Sequence, residues 1–145
     1  MNNSSTISFN INTSDGTAKI GVAVWMDHAC VYQSDHLTEQ QHIDHAVLDH
    51  DGNHELRIVI SGKTLEHTKV DEQNNIIKDV IISVADVTID GIDIAQLFNE
   101  KCVYTHDFNG TQSEIQDVFY GAAGCNGTIS FQFTTPIYLW LLENM

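Results

Sequence analysis

HIDHAVLDHDGNHELRIVI, residues 42–60, decides how the rest of the chain is read. Its second half alternates: Leu56, Ile58 and Ile60 are apolar, and Glu55, Arg57 and Val59 stand between them. Successive side chains of a strand point to opposite faces, so this is a strand with one face turned to a core. Gly62 ends it. Upstream, Ile43 and Val47 begin another run, and Asp51-Gly52 stands between the two. Asp-Gly tolerates the positive φ angles of a type I′ turn, which predicts a β-hairpin with AVLD and ELRIVI as antiparallel neighbours. The histidines then fall on solvent-facing positions near the turn.

The same segment holds four histidines and three aspartates between residues 42 and 54, so metal binding competes with the hairpin reading. His50 and His54 are four apart and would share one face of a helix. Gly52 lies between them, however, and strand patterns flank them. Structural zinc favours cysteine, and none is close. A histidine-only site stays open. An EF-hand loop is excluded: counted from Asp49, its glycine should stand sixth and a glutamate twelfth, whereas Gly52 is fourth and the twelfth residue is Ile60. A calcium site assembled from several loops, with Asp49 and Asp51 as ligands, also stays open. No cofactor is required by the sequence, and calcium is the metal it favours over zinc.

Strand signals continue outward. Ile7, Phe9 and Ile11 alternate with polar residues; KIGVAVWMD from Lys19 and CVYQ from Cys30 are β-rich; Ile129, Phe131 and Phe133 form a late strand that Pro136 breaks. Asn74-Asn75 and Asp90-Gly91 are turns. In DVIISVADVTIDGIDI the apolar set changes phase near Ala85. With a side-chain period of two, such a switch needs a bulge, a turn or a change of packing partner. IAQLFNEK, from Ile94, allows one short helix. IYLWLL, residues 137–142, reads as a final core strand. Its alternative is an assembly interface built from Ile137, Tyr138, Leu139 and Trp140. The whole predicts an all-β, single-domain antiparallel β-sandwich or jelly roll over residues 1–145, with at most one short helix and a flexible polar stretch at 1–6.

Charge narrows the partners. Six basic residues face twenty acidic ones, a formal net charge of −14, with no basic cluster anywhere. Nucleic acid and anionic membrane are poor partners; cations, neutral glycans and basic protein faces are favoured. The N-terminus has neither the basic nor the apolar region of a signal peptide. Cys30, Cys102 and Cys125 are far apart and odd in number, which predicts free thiols rather than a zinc ribbon or redox pair. Catalytic signatures are weak: no G-x-S-x-G elbow occurs, and no carboxylate pair stands in a context that raises its pKa. YTHDFNGT, from Tyr104, offers rings beside Asp107 and Asn109. With Trp25 and Tyr32 these could stack on and hydrogen-bond a sugar; the competing reading makes the rings core and the polar pair a turn.

DHDGNHELRIVISGKT followed by DEQNNIIKDVIISVADVTIDGIDI resembles β-sandwich structural proteins of tailed, especially marine, phages, themselves similar to jelly-roll carbohydrate-binding modules. The resemblance spans roughly residues 45 to 95 and carries no catalytic residue. It implies a non-enzymatic virion protein, made in the host cytoplasm, that acts as a capsid decoration, fibre or tail-associated module. Its partners would be other virion proteins or further copies of itself. A glycan-binding module, calcium-dependent or not, is the alternative.

Overall fold

The computed structural model describes residues 4–48 and 50–145. The alternation of Ile7, Phe9 and Ile11 becomes β1 (Ser4–Thr13), with all three side chains buried. β2 (Gly21–Met26) and β3 (Ala29–Ser34) form a hairpin around Asp27 and His28. β4 (Gln41–Leu48) and β5 (Gly52–Ser61) follow. A single 3-10 turn (Leu65–His67) leads into a small ribbon of β6 (Lys69–Val70) and β7 (Ile76–Lys78). Then come β8 (Ile82–Ile89), β9 (Ile92–Asp93), α1 (Ala95–Lys101), β10 (Val103–His106), β11 (Ile115–Val118), β12 (Ala122–Ala123), β13 (Gly127–Thr135) and α2 (Ile137–Asn144).

The strands form two antiparallel sheets, as a β-sandwich requires. One runs β12-β8-β1-β4, with β9 paired to β8; the other runs β11-β10-β13-β5-β2-β3. The core between them takes Ile7, Phe9, Ile11, Ile43, Val84 and Val87 from the first sheet, and Val22, Val24, Leu56, Ile58, Ile129 and Phe131 from the second. The phase change near Ala85 is a bulge. The β1–β8 register jumps from Ser8↔Thr88 to Asn10↔Ala85, and Asp86 takes φ 56°. That single irregularity lets Ile82, Val84, Val87 and Ile89 all reach the same core.

Three expectations are corrected. The first concerns Asp51-Gly52, which is not a hairpin turn. β4 pairs with β1 in one sheet, and β5 pairs with β13 and β2 in the other, so the link passes between sheets. The glycines at positive φ are Gly62, Gly91, Gly110 and Gly121; Gly52 is not among them, and without positive φ a type I′ turn cannot form. Gly52 is instead the first residue of β5, opposite Thr135.

The second concerns the number of helices. α1 lies where one was expected, but a second, α2, replaces the final strand. Ile137, Trp140 and Leu141 are buried, while Tyr138, Leu139 and Leu142 are exposed. The buried set has i, i+3, i+4 spacing, one stripe of a helix. Pro136 at φ −63° leads the chain into it. Both helices add aromatic rings to the core at Phe131: Phe98 packs 4.9 Å from it and Trp140 meets it edge-on at 5.6 Å. The third concerns the start of the chain. Ser4 to Thr6 belong to β1, paired with Leu48 to Ala46, and residues 1–3 of the stretch expected at 1–6 lie outside the described residues.

Candidate functional site

The alternation in β5 that buries Leu56, Ile58 and Ile60 turns Glu55, Arg57 and Val59 to the sheet's outer face. Register then fixes their neighbours. Arg57 lies between Trp25 on β2 and Ser130 on β13, and Gln132 lies opposite Glu55. Trp25 is half-buried, with the Arg57 guanidinium 5.9 Å from the ring centroid, a cation–π distance. Glu55 organises the rest. One carboxylate oxygen accepts from Ser130 Oγ (3.1 Å) and Gln132 Nε2 (3.2 Å), and the other pairs with Arg57 Nε at 3.3 Å. The result is a flat patch of one indole, one guanidinium, one carboxylate, one amide and one hydroxyl, each held by its neighbours.

Glu55 and Gln132 also line a cleft of about 480 Å3 that runs on from this patch, with Asp27, His54, Phe133 and Trp140 on its walls. That volume falls within the roughly 300–1,000 Å3 of small-molecule sites. His54 stacks on Phe133 at 5.3 Å. Its Nδ1 donates to Asp27 Oδ2 (2.9 Å), and its Nε2 stands 3.1 Å from Thr135 Oγ1. Burial alone would raise the Asp27 carboxyl. Hydrogen bonds from His54 and the Glu55 N–H more than offset this, with smaller help from the His54 and His28 charges, and hold it below the usual range. The order Asp–His–hydroxyl has the look of a nucleophile relay. The Thr135 hydroxyl, however, is buried and donates to the carbonyl of His50. It ties the crossover segment to the end of β13.

The residues singled out from sequence do not converge. Tyr104, Asp107 and Asn109 cluster at the other end of β13. Tyr104 faces the core; its hydroxyl donates to the Cys125 carbonyl (2.6 Å) and accepts from the Cys125 N–H (3.0 Å), and burial pushes the phenol up to about 12. Asp107 Oδ1 accepts from the Gly110 N–H, and Asn109 Oδ1 from the Asn126 N–H, both at 2.8 Å. Trp25 lies three strands away on the opposite face, and Tyr32, opposite Val24 on edge strand β3, packs partly against the core. Of the metal pair, Asp49 lies outside the described residues and Asp51 is exposed in the crossover. Of the interface set, Ile137 and Trp140 are core residues and Tyr138 and Leu139 are exposed. The cysteines are free, as expected, although Cys30 is exposed.

Four residues shape the two ends of the sandwich: Asp27 and His54 at one, Lys63 and Asp79 at the other; of these the sequence flagged only His54, and as a metal ligand. Lys63 is 5% exposed. Its ammonium donates to Asp79 Oδ1 (2.6 Å), to the Val80 carbonyl (2.9 Å) and to the Gly124 carbonyl. Gly62 makes the inward turn possible. It takes φ +84°, and a Cβ there would stand 2.9 Å from the Lys19 carbonyl.

No protein-family model matches the chain, and no curated protein does. The fold is similar to the solved structure of vCBM60, reported in work linking two families of calcium-dependent carbohydrate binding modules by circular permutation. The TM-score is 0.52 at 16% identity, covering 88% of this chain and 89% of that one. At that identity the likeness shows the fold: a sandwich of the carbohydrate-binding-module type. The phage resemblance has no counterpart in these comparisons. Nor is a ready-made metal cluster seen among the described side chains. Among them no group of three or more His, Cys, Asp or Glu is placed to hold an ion, and the oxygen-rich pocket at Asp79 is filled by Lys63.

Proposed function

We propose that this chain is a non-catalytic carbohydrate-binding module that takes a neutral glycan on the outer face of its six-stranded sheet. The observation that carries the reading is the Trp25 patch. An indole is available beside Arg57, Glu55, Ser130 and Gln132, which hold one another in place before any ligand arrives. A sugar ring lays its C–H face on the indole, while guanidinium, carboxylate, hydroxyl and amide take its hydroxyl groups. Preorganised donors and acceptors limit the ordering cost of binding. A net charge of −14 disfavours polyanionic glycans. The fold likeness to a carbohydrate-binding module supports the same class.

Affinity gel electrophoresis against a panel of neutral polysaccharides tests it. The chain is expected to be retarded by at least one. Trp25→Ala should then weaken that interaction roughly 30-fold, about 2 kcal/mol for an aromatic hot spot, with the melting temperature nearly unchanged. Retardation equal to wild type, or none on any polysaccharide, would count against the proposal. Adding EDTA to the same gels decides whether calcium takes part.

Attachment to a larger assembly, with virion proteins or further copies of this chain as partners, is the second reading. It is favoured by Tyr138, Leu139 and Leu142, which project from α2 at 60%, 46% and 76% exposure. Sedimentation of wild type against Leu139→Asp checks it: a larger species lost on substitution supports the assembly, and a monomer in both removes the self-association arm.

A further inference from the structure

The Lys63 ammonium occupies a place with the donor set of a small cation site. Three oxygens surround it: Asp79 Oδ1, the Val80 carbonyl and the Gly124 carbonyl. Calcium draws on the same donor types, carboxylate and backbone carbonyl, and completes its roughly six to eight oxygens with water. The cage is built rather than incidental. Asp79 Oδ1 also accepts from Thr68 Oγ1 (2.8 Å) and from its neighbour Val80 N–H (2.9 Å), which fixes the carboxylate. The Lys63 backbone is clamped in turn: its N–H donates to Asn126 Oδ1 (2.8 Å), and its carbonyl accepts from Asn126 Nδ2 (2.9 Å). Three chain segments meet here, at residues 62–68, 79–81 and 121–126, and the ammonium is the positive charge at their junction.

We infer that Lys63 is a tethered resident cation, and that the cage around it is a binding site for a small free cation once the tether is cut. The inference does not rest on glycan binding, and its test has a different readout. An ammonium has three N–H donors, and here each has one acceptor, so the group needs no water. Removing its side chain beyond Cβ leaves a hole the size of n-propylammonium, lined by two carbonyls that lose this donor and a carboxylate that keeps only Thr68 Oγ1 and the Val80 N–H. Lys63 is buried and the Asp79 side chain is 23% exposed, so the cost falls on a partly buried carboxylate deprived of its cation.

Thermal unfolding of the full chain tests it, using Lys63→Ala in n-propylammonium, calcium or tetramethylammonium chloride at equal ionic strength. Tetramethylammonium has the charge but no N–H and is too bulky for the cage. The variant should melt at least about 5 °C below wild type. Propylammonium or calcium should recover a substantial part of that loss, with no comparable gain in wild type. Melting within about 1 °C of wild type, or a loss that neither cation repairs better than tetramethylammonium, overturns the inference.

If Lys63→Ala does not fold in any of these salts, Asp79→Asn carries the test. Burial alone would raise the Asp79 carboxyl, but bonds from Lys63 and Thr68, the Lys63 charge and the Val80 N–H together hold it below the usual range. A carboxyl depressed by folding contributes stability that is present above its unfolded pKa, about 3.9, and is lost as pH falls through the folded value. The deficit of Asp79→Asn should therefore shrink as pH drops below about 4. A deficit that stays constant with pH overturns the inference.

Discussion

Two of the chain's three Asp-Gly pairs, Asp51-Gly52 and Asp90-Gly91, have the same sequence and opposite roles. At Asp90-Gly91 both residues take positive φ, 51° and 80°, and Ile89 pairs directly with Ile92 across a two-residue turn. At Asp51-Gly52 neither residue does, and the chain leaves one sheet for the other. The dipeptide permits a tight turn but does not impose one. The flanking strands decide. β5 has both edges occupied, by β13 and β2, and β4 is paired along its length with β1. A hairpin at 51–52 would have to displace one of these ladders. β9 has only β8 to pair with, and there the local preference prevails.

Substitutions at the two sites should therefore behave differently. Gly91→Val should cost most, about 2 kcal/mol in urea unfolding, because a β-branched residue is forced into the left-handed region. A Cβ at Gly91 would meet nothing within 4 Å, so the whole cost is conformational. Asp90→Ala should cost about 1 kcal/mol, since it removes the bond that Asp90 Oδ1 accepts from the Thr6 N–H (2.8 Å) and a residue that tolerates positive φ. Gly52→Ala should change stability by no more than about 0.5 kcal/mol, because its φ is ordinary. The nearest atoms to a Cβ there lie 3.8 Å away. A cost at Gly52 equal to that at Gly91 would break the distinction and restore the hairpin reading.

Much of the fold was legible because it depends on local periodicity. The Leu56–Ile58–Ile60 alternation named the buried face of β5, and the phase slip at Ala85 marked the place of an irregularity that is a bulge. What was not legible depends on pairing at a distance. The crossover at residue 51 follows from partners some 30 to 80 residues away in sequence, Met26 and Thr135 among them. The helical spacing of Ile137, Trp140 and Leu141 was present, but a solid apolar run of six residues fits a buried strand as well.

The candidate site fared worse. Tyr104 and Asn109 carry suitable chemistry for a sugar, yet their polar atoms serve the loop at 121–127. Trp25 was flagged, but Arg57 and Glu55 become its neighbours only through strand register. Lys63 in SGKT has the composition of a surface turn, and nothing local distinguishes a lysine that points outward from one whose three acceptors lie 16, 17 and 61 residues on.

The switching of the chain between layers has a kinetic consequence. β1 belongs to one layer, β2 and β3 to the other, β4 to the first again and β5 to the second, so neither layer consists of consecutive segments. The nascent N-terminal strand must wait for β8, more than seventy residues later, before its second neighbour exists. Such a high contact order sets folding in the millisecond-to-second range and leaves no early substructure that could stand alone. Both layers should therefore appear and disappear together, in one cooperative step.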